Sequence, residues 1–194
     1  MRIISGSHRG RRIITPTNLP VRPTTDLAKE ALFNILVNRI DFEETKVLDL
    51  FAGTGNISFE FASRDCPEVT AIENNFRCIE FMKKTTSQLS FTTLRVIRSD
   101  VFQFIRQNRK TYDLIFADPP YEMEGVAELP GLILKSNMLH PEGLLIVEHD
   151  KKVSFKKYSE LMETRIYGKV NFSFFARPGN PGASTDSTTG DKAE

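Results

Sequence analysis

The sequence is short of several things, and each shortage excludes something. Only two cysteines occur, Cys66 and Cys78. They lie too far apart for a metal-binding pair and no His or Cys cluster accompanies them, so they read as reduced structural thiols, and no metal, zinc included, is expected. No apolar run approaches the length of a membrane span. Met1-Arg2-Ile3-Ile4-Ser5-Gly6 is followed by more arginines, not by the apolar segment and small-residue cleavage site of a signal peptide. A cytoplasmic protein with no membrane partner is the expectation. Acid is missing from the whole stretch Met1 to Arg22, which carries five arginines (Arg2, Arg9, Arg11, Arg12 and Arg22) and His8. Because the net charge of the chain is only +1, its basic character is concentrated at one end.

What remains is ordinary globular material: 194 residues, 40% apolar and 26% charged, enough for one domain with short appendages. Residues 2–15, RIISGSHRGRRIIT, place two β-branched runs around a glycine-bearing polar turn, which suits a small hairpin displaying arginines. In TTDLAKEALFNILVNRI, apolar residues at Leu27, Ala31, Leu32, Ile35 and Leu36 have helical spacing, and a threonine or aspartate can cap the start. From residue 46 onward, strand-like runs (46–52, 69–73, 94–99, 112–118 and 143–149) alternate with helical segments (55–64, 75–89, 101–107 and 126–138). Strands that are apolar on both faces and separated by helices imply a parallel sheet covered on both sides, an α/β doubly wound domain. Residues 162–176 then read as an antiparallel hairpin around Gly168-Lys169. The expected organisation is a basic hairpin extension over 1–22, an α/β domain over 23–177, and a tail over 178–194 whose Pro, Gly, Ser and Thr content predicts disorder.

Four strand ends carry the chemistry. The first runs into Asp49, Phe51, Gly53 and Gly55 ahead of a helix, where glycines permit a sharp turn and close approach of a ligand. A Gly-x-Gly pair is weak by itself and equally suits a tight turn with no ligand. Glu73 ends the second strand, about twenty residues past Gly53, where an acid can accept hydrogen bonds from ribose hydroxyls. Asp100 and Val101 end the third, where a carboxylate can accept from an exocyclic amine; taken singly, either acid is as well explained as a helix cap. Together they fit a ribose-adenine ligand. The fourth strand ends in Asp118-Pro119-Pro120-Tyr121, a loop stiffened by two prolines. An amine on an aromatic base is a poor nucleophile because its lone pair is delocalised. Methylating it calls for fixed acceptors, the Asp118 carboxylate and the Pro119 carbonyl, to take its N–H hydrogens, and for an aromatic such as Tyr121 to stack on a base turned out of its helix.

This constellation resembles the class I S-adenosylmethionine-dependent methyltransferases, whose Rossmann-like fold has a seven-stranded, mostly parallel sheet. Asp-Pro-Pro-Tyr is similar to the signature of those that modify exocyclic amino nitrogens. RIISGSHRGRRI, RPTTDLAKEALFNIL, VLDLFAGTGNISFEFASR and ADPPY, in this order, resemble the RsmD family of bacterial ribosomal RNA methyltransferases over nearly the whole chain to residue 176. The resemblance implies methylation of N2 of guanine 966 of 16S rRNA, with S-adenosylmethionine as cofactor and a 30S subunit or assembly intermediate as the setting. It implies Asp49, Phe51, Gly53 and Gly55 around the methionine part of the cofactor, Glu73 at its ribose, Asp100 and Val101 at its adenine, and Asp118, Pro119, Pro120 and Tyr121 at the guanine. It also implies that Arg22 to Asp26, with Glu30 and Asn34, flank the cofactor pocket. One departure is Asn74-Asn75 after Glu73, where a further acid is common.

The basic hairpin, Arg2, His8, Arg9, Arg11 and Arg12, with Arg22 beyond it, then reads as a clamp for the RNA backbone. Two other readings stand beside this one. A DNA or other RNA amino-methyltransferase can use the same Asp-Pro-Pro-Tyr loop, and a non-catalytic RNA-binding assembly factor can keep the fold.

Overall fold

The computed structural model describes residues 1–16, 19 and 25–177. Arg22 and the expected tail at 178–194 lie outside the described residues.

Seven strands form one sheet in the order β3-β2-β1-β4-β5-β7-β6. They are β1 (Lys46–Leu50), β2 (Glu68–Glu73), β3 (Leu94–Arg98), β4 (Tyr112–Ala117), β5 (Leu139–His149), β6 (Leu161–Tyr167) and β7 (Val170–Phe175). β1 to β5 pair in parallel, and β7 runs antiparallel to both β5 and β6. Among the described residues five α-helices accompany them: α1 (Asp26–Leu36), α2 (Asn56–Ser63), α3 (Phe76–Gln88), α4 (Val101–Gln107) and α5 (Leu129–Lys135). Chain order reverses at β1, which has β2 on one side and β4 on the other. A crevice opens beyond the carboxyl ends of parallel strands at such a reversal.

The two-residue period of a strand sorts the core into two layers. Leu114 and Phe116 of β4 pack with α1, α2 and the Met82 side of α3, whereas Ile115 and Ala117 pack with α4 and α5. β7 contributes Phe172 and Phe174 to the first layer and Phe175 to the second. β6 closes the sheet with an outer strand whose central residues are exposed. Its Glu163 and Arg165 are ion-paired, and charge there discourages pairing with another chain. Both cysteines are buried and unpaired. Burial pushes the Cys66 thiol up to about 12 and that of Cys78 up to about 11, so neither offers a reactive thiolate. Among the described residues no helix is long and apolar enough to cross a membrane.

The N-terminal segment is a hairpin with one antiparallel bridge, Arg2 opposite Arg12, closed by Ile3 N–H to Arg11 O (3.0 Å) and Ile13 N–H to Met1 O (3.0 Å). Ile3 and Ile13 point inward and join the first core layer. The turn is moored on α2: Ser7 N–H donates to Ser63 O, and His8 N–H to the Ser63 hydroxyl (3.0 Å). Gly6, at φ +80°, passes so close that a Cβ there would stand 1.6 Å from Ser63 O.

α1 departs from the expected register. Thr25 caps it, accepting from Ala28 N–H (3.2 Å). The residues it buries are Ala28, Lys29, Leu32, Phe33 and Leu36, while Leu27 is 77% exposed. The inward face is rotated because Lys29 sits on it, 1% exposed. Its Nζ donates to Arg2 O (2.7 Å) and Asn56 Oδ1 (2.8 Å) and lies 3.6 Å from Glu60 Oε2. Glu60, also buried, accepts from Ile4 N–H (2.8 Å), Ser5 N–H (3.0 Å) and Arg64 Nε (3.0 Å). The Arg64 guanidinium lies over the rings of Phe33 and Phe42. Two buried charges are tolerable only because each is paired and hydrogen-bonded on several sides.

Candidate active site

A cavity of about 710 Å³ occupies the crevice at the β1/β4 reversal. Asp49, Phe51, Gly53, Glu73, Asp100, Val101 and the whole run Asp118, Pro119, Pro120, Tyr121 line it. One site thus gathers residues drawn from the ends of four neighbouring strands. Gly55, also expected there, holds the turn instead: it is at φ +81° ahead of α2, and a Cβ on it would come within 2.7 Å of Met82 Cε.

The loop after β1 is held in an unusual shape. Phe51 has φ 63° and Gly53 φ 56°, a left-handed conformation that costs a non-glycine residue about 1 kcal/mol or more. Glu73 over-determines that shape from the next strand. Its Oε2 accepts from Gly53 N–H (2.7 Å), and its Oε1 from Asn74 N–H (2.8 Å) and Asn75 N–H (2.7 Å). The expected ribose acceptor is therefore also the clamp that shapes the glycine loop. Asn75, where a further acid was the common alternative, caps α3 by accepting from Arg77 and Cys78 N–H. Asp100 likewise caps α4 through Gln103 N–H (2.9 Å) while lining the cavity. Cap and cavity wall are two uses of one side chain here.

Asp49 is 1% exposed. Burial pushes its carboxyl up to about 7, with the nearby Glu73 charge adding to the rise and a hydrogen bond donated by the Ser58 hydroxyl opposing it. A carboxylate this reluctant to ionise gains most from a cationic ligand.

On the other wall, Asp118 N–H donates to Leu50 O (3.3 Å), tying the exit of β4 to the end of β1. The loop then turns, Met123 N–H reaching Pro120 O (2.9 Å). Tyr121 is 36% exposed, with its hydroxyl 3.5 Å from Glu148 Oε1. Of the helix residues expected to flank the pocket, Thr25 lines it, whereas Glu30 and Asn34 point to solvent on α1.

The wall residues not anticipated from sequence include Asn56, held by Lys29, and Glu148 at the end of β5. Glu148 had a legible signal, an acid ending the apolar run Leu144 to Val147, as Asp118 ends its own. Asn56 had none, since a buried lysine looks polar in any hydropathy pattern.

In the hairpin, Arg2, Arg9, Arg11 and Arg12 are exposed. His8 is half-buried, its ring 4.6 Å from that of Phe91. The turn sits at the Ser63 end of α2 and Arg2 near its Asn56 end, so the hairpin lies along the helix from its far end back to the cavity wall.

Over residues 1–176 the chain matches the family described as conserved hypothetical protein 95. It is 34% identical over 181 residues to the ribosomal RNA small subunit methyltransferase D of Haemophilus influenzae, covering 90% of this chain and 93% of that one. It is 32% identical over 186 residues to the putative rRNA methyltransferase YlbH of Bacillus subtilis, covering 92% and 100%. Among solved structures, the putative methyltransferase yhhF from Escherichia coli superposes with a TM-score of 0.78 at 29% identity, covering 91% of this chain and 97% of that one.

Proposed function

The chain belongs to the RsmD family of bacterial ribosomal RNA methyltransferases, and from that premise we propose that it methylates the exocyclic N2 of one guanine of 16S rRNA, guanine 966 in the usual small-subunit numbering, in a 30S subunit or assembly intermediate. The enzyme is an S-adenosylmethionine-dependent rRNA methyltransferase. The observation that carries the finer reading is the meeting of Asp118-Pro119-Pro120-Tyr121 with the Gly53 turn on one cavity.

The residues present suit the cofactor. Asp49 offers a buried carboxyl whose ionised form a cation would favour, and Glu73 and Asp100 offer carboxylate oxygens to hydroxyl or amine hydrogens. When bound, S-adenosylmethionine supplies a methyl group already activated by its sulfonium. The Asp118 carboxylate and the Pro119 carbonyl accept the N–H hydrogens of the amine, which turns its lone pair out of conjugation with the ring. Asp118 is also placed to take up the proton that the amine loses. The Tyr121 ring, partly exposed at the cavity mouth, stacks on the extruded base. Both prolines hold these groups in place before the base arrives, so little ordering cost falls on the reaction. The exposed Arg2, Arg9, Arg11 and Arg12 fix the phosphate backbone, with Arg22, outside the described residues, as a further candidate.

The test is methyl transfer from labelled S-adenosylmethionine to 30S particles lacking the modification, with the product nucleoside identified by mass spectrometry. N2-methylguanosine at one site is expected. Asp118→Ala is expected to abolish transfer while binding cofactor; turnover at the wild-type rate by that variant would remove Asp118 from the mechanism.

A further inference from the structure

Glu148 is a second carboxylate on the cavity wall that none of the steps above uses. β4 and β5 run parallel with Ala117 opposite Val147. The next residues along, Asp118 and Glu148, therefore stand side by side, and both line the cavity. Glu148 is 3% exposed, and the Tyr121 hydroxyl is 3.5 Å from its Oε1. The ring meant for stacking and the two carboxylates thus bound one compartment, where a base would present its amine to Asp118 and the neighbouring part of its edge to Glu148.

Bases that carry an exocyclic amine differ in what stands beside it. In guanine two ring nitrogens flank the C2 amine, and the one toward the C6 carbonyl, N1, carries a hydrogen and donates. In adenine and cytosine the ring nitrogen next to the amine is a bare acceptor. A carboxylate facing that position gains a charge-assisted hydrogen bond from guanine and an acceptor-against-acceptor contact from the other two. Burial sharpens the difference, because water is not at hand to mediate the mismatch.

We propose that Glu148 is a specificity-determining residue that selects guanine by accepting N1–H beside the amine held at Asp118. This rests on the reading that guanine N2 is the methylated atom.

The test replaces the target guanosine with 2-aminopurine in 16S rRNA assembled into 30S particles. That base keeps the amine at C2 but has an unprotonated N1 and no O6, so it is the change of preference in the Glu148 variants that isolates the N1 contact. The wild-type enzyme is expected to prefer guanine in kcat/KM by about tenfold or more. Glu148→Gln, whose amide can donate to a bare N1, is expected to lose activity on guanine and shrink that preference by about tenfold. Tyr121→Phe removes the hydroxyl beside Glu148 and is expected to slow both substrates without changing their ratio. Cofactor affinity measured by calorimetry verifies that each variant is folded; should Glu148→Gln not fold, Glu148→Asp is expected to keep the guanine preference at reduced rate. Equal losses on both substrates in Glu148→Gln would overturn the proposal, as would a ratio in Tyr121→Phe that collapses in the same way or a loss of the preference in Glu148→Asp. If the wild-type enzyme makes no N2-methylguanosine from the guanine particle, the reading beneath the proposal fails, an outcome distinct from an altered ratio.

Discussion

Asp49→Asn puts a number on the cost of burying a carboxyl at the end of β1. In the folded protein burial raises the Asp49 carboxyl from 3.8 to about 7. Between those values the folded chain holds a proton that the unfolded chain has released, so stability is fully present below 3.8 and falls as pH rises through about 7. Each pKa unit is worth about 1.4 kcal/mol, so this group costs the ligand-free protein about 2 kcal/mol between about pH 5.5 and about pH 8.5. Asparagine keeps the shape, and its carbonyl oxygen can still accept the Ser58 hydroxyl, but it cannot titrate. The assay is urea denaturation of both proteins, without cofactor, at the two pH values. The wild-type protein should lose about 2 kcal/mol more than the variant over that interval. Comparing the pH dependence of the two proteins cancels every other titrating group. Parallel pH profiles would refute the reasoning, since they would mean that Asp49 is ionised throughout despite its burial.

Other perturbations test other parts of the molecule. Lys29→Met removes the cation from between Arg2 O, Asn56 and Glu60; because Glu60 keeps Arg64 and two backbone N–H partners, the cost by chemical denaturation should fall at the low end for a broken buried pair, about 3 kcal/mol. Gly6→Ala forces a Cβ into Ser63 O at positive φ, and trypsin should then cut after Arg9 or Arg11 much faster than in the wild-type protein; an unchanged cleavage rate would mean that the turn is not moored. Replacing both Arg9 and Arg11 with alanine should flatten the dependence of log affinity for 30S particles on log salt by about 1.5, if each arginine meets one phosphate. Unchanged salt dependence would take the hairpin out of the RNA contact.

The alternation of apolar strands and helices was plain in the sequence because a doubly wound sheet buries both faces of each strand. The strand ends were equally plain, since Asp49, Glu73, Asp100 and Asp118 each interrupt or follow an apolar run and all reach one cavity. Edges were less so. β5 begins at Leu139 rather than at residue 143 because Leu139 pairs with Tyr112 across a register shift that polar residues 140–142 conceal. The facing of α1 was hidden for a different reason. Periodicity counts a lysine as surface, and Lys29 is interior only because Glu60, a full turn and more into another helix, is there to meet it. Pairings between charges distant in sequence leave no local pattern.

The hairpin has a mechanical consequence. It is hydrogen-bonded along α2, the helix whose first residue, Asn56, is part of the cavity wall. On the proposed role of its arginines as the phosphate grip, the gap between grip and pocket is that of a fixed gauge, which cannot be lengthened without breaking the buried charges beneath it. A limp single strand could be drawn through such a gauge to any register. A folded RNA that projects one base at one height above a bend in its backbone fits it in a single way, so the enzyme would measure its target as well as read it.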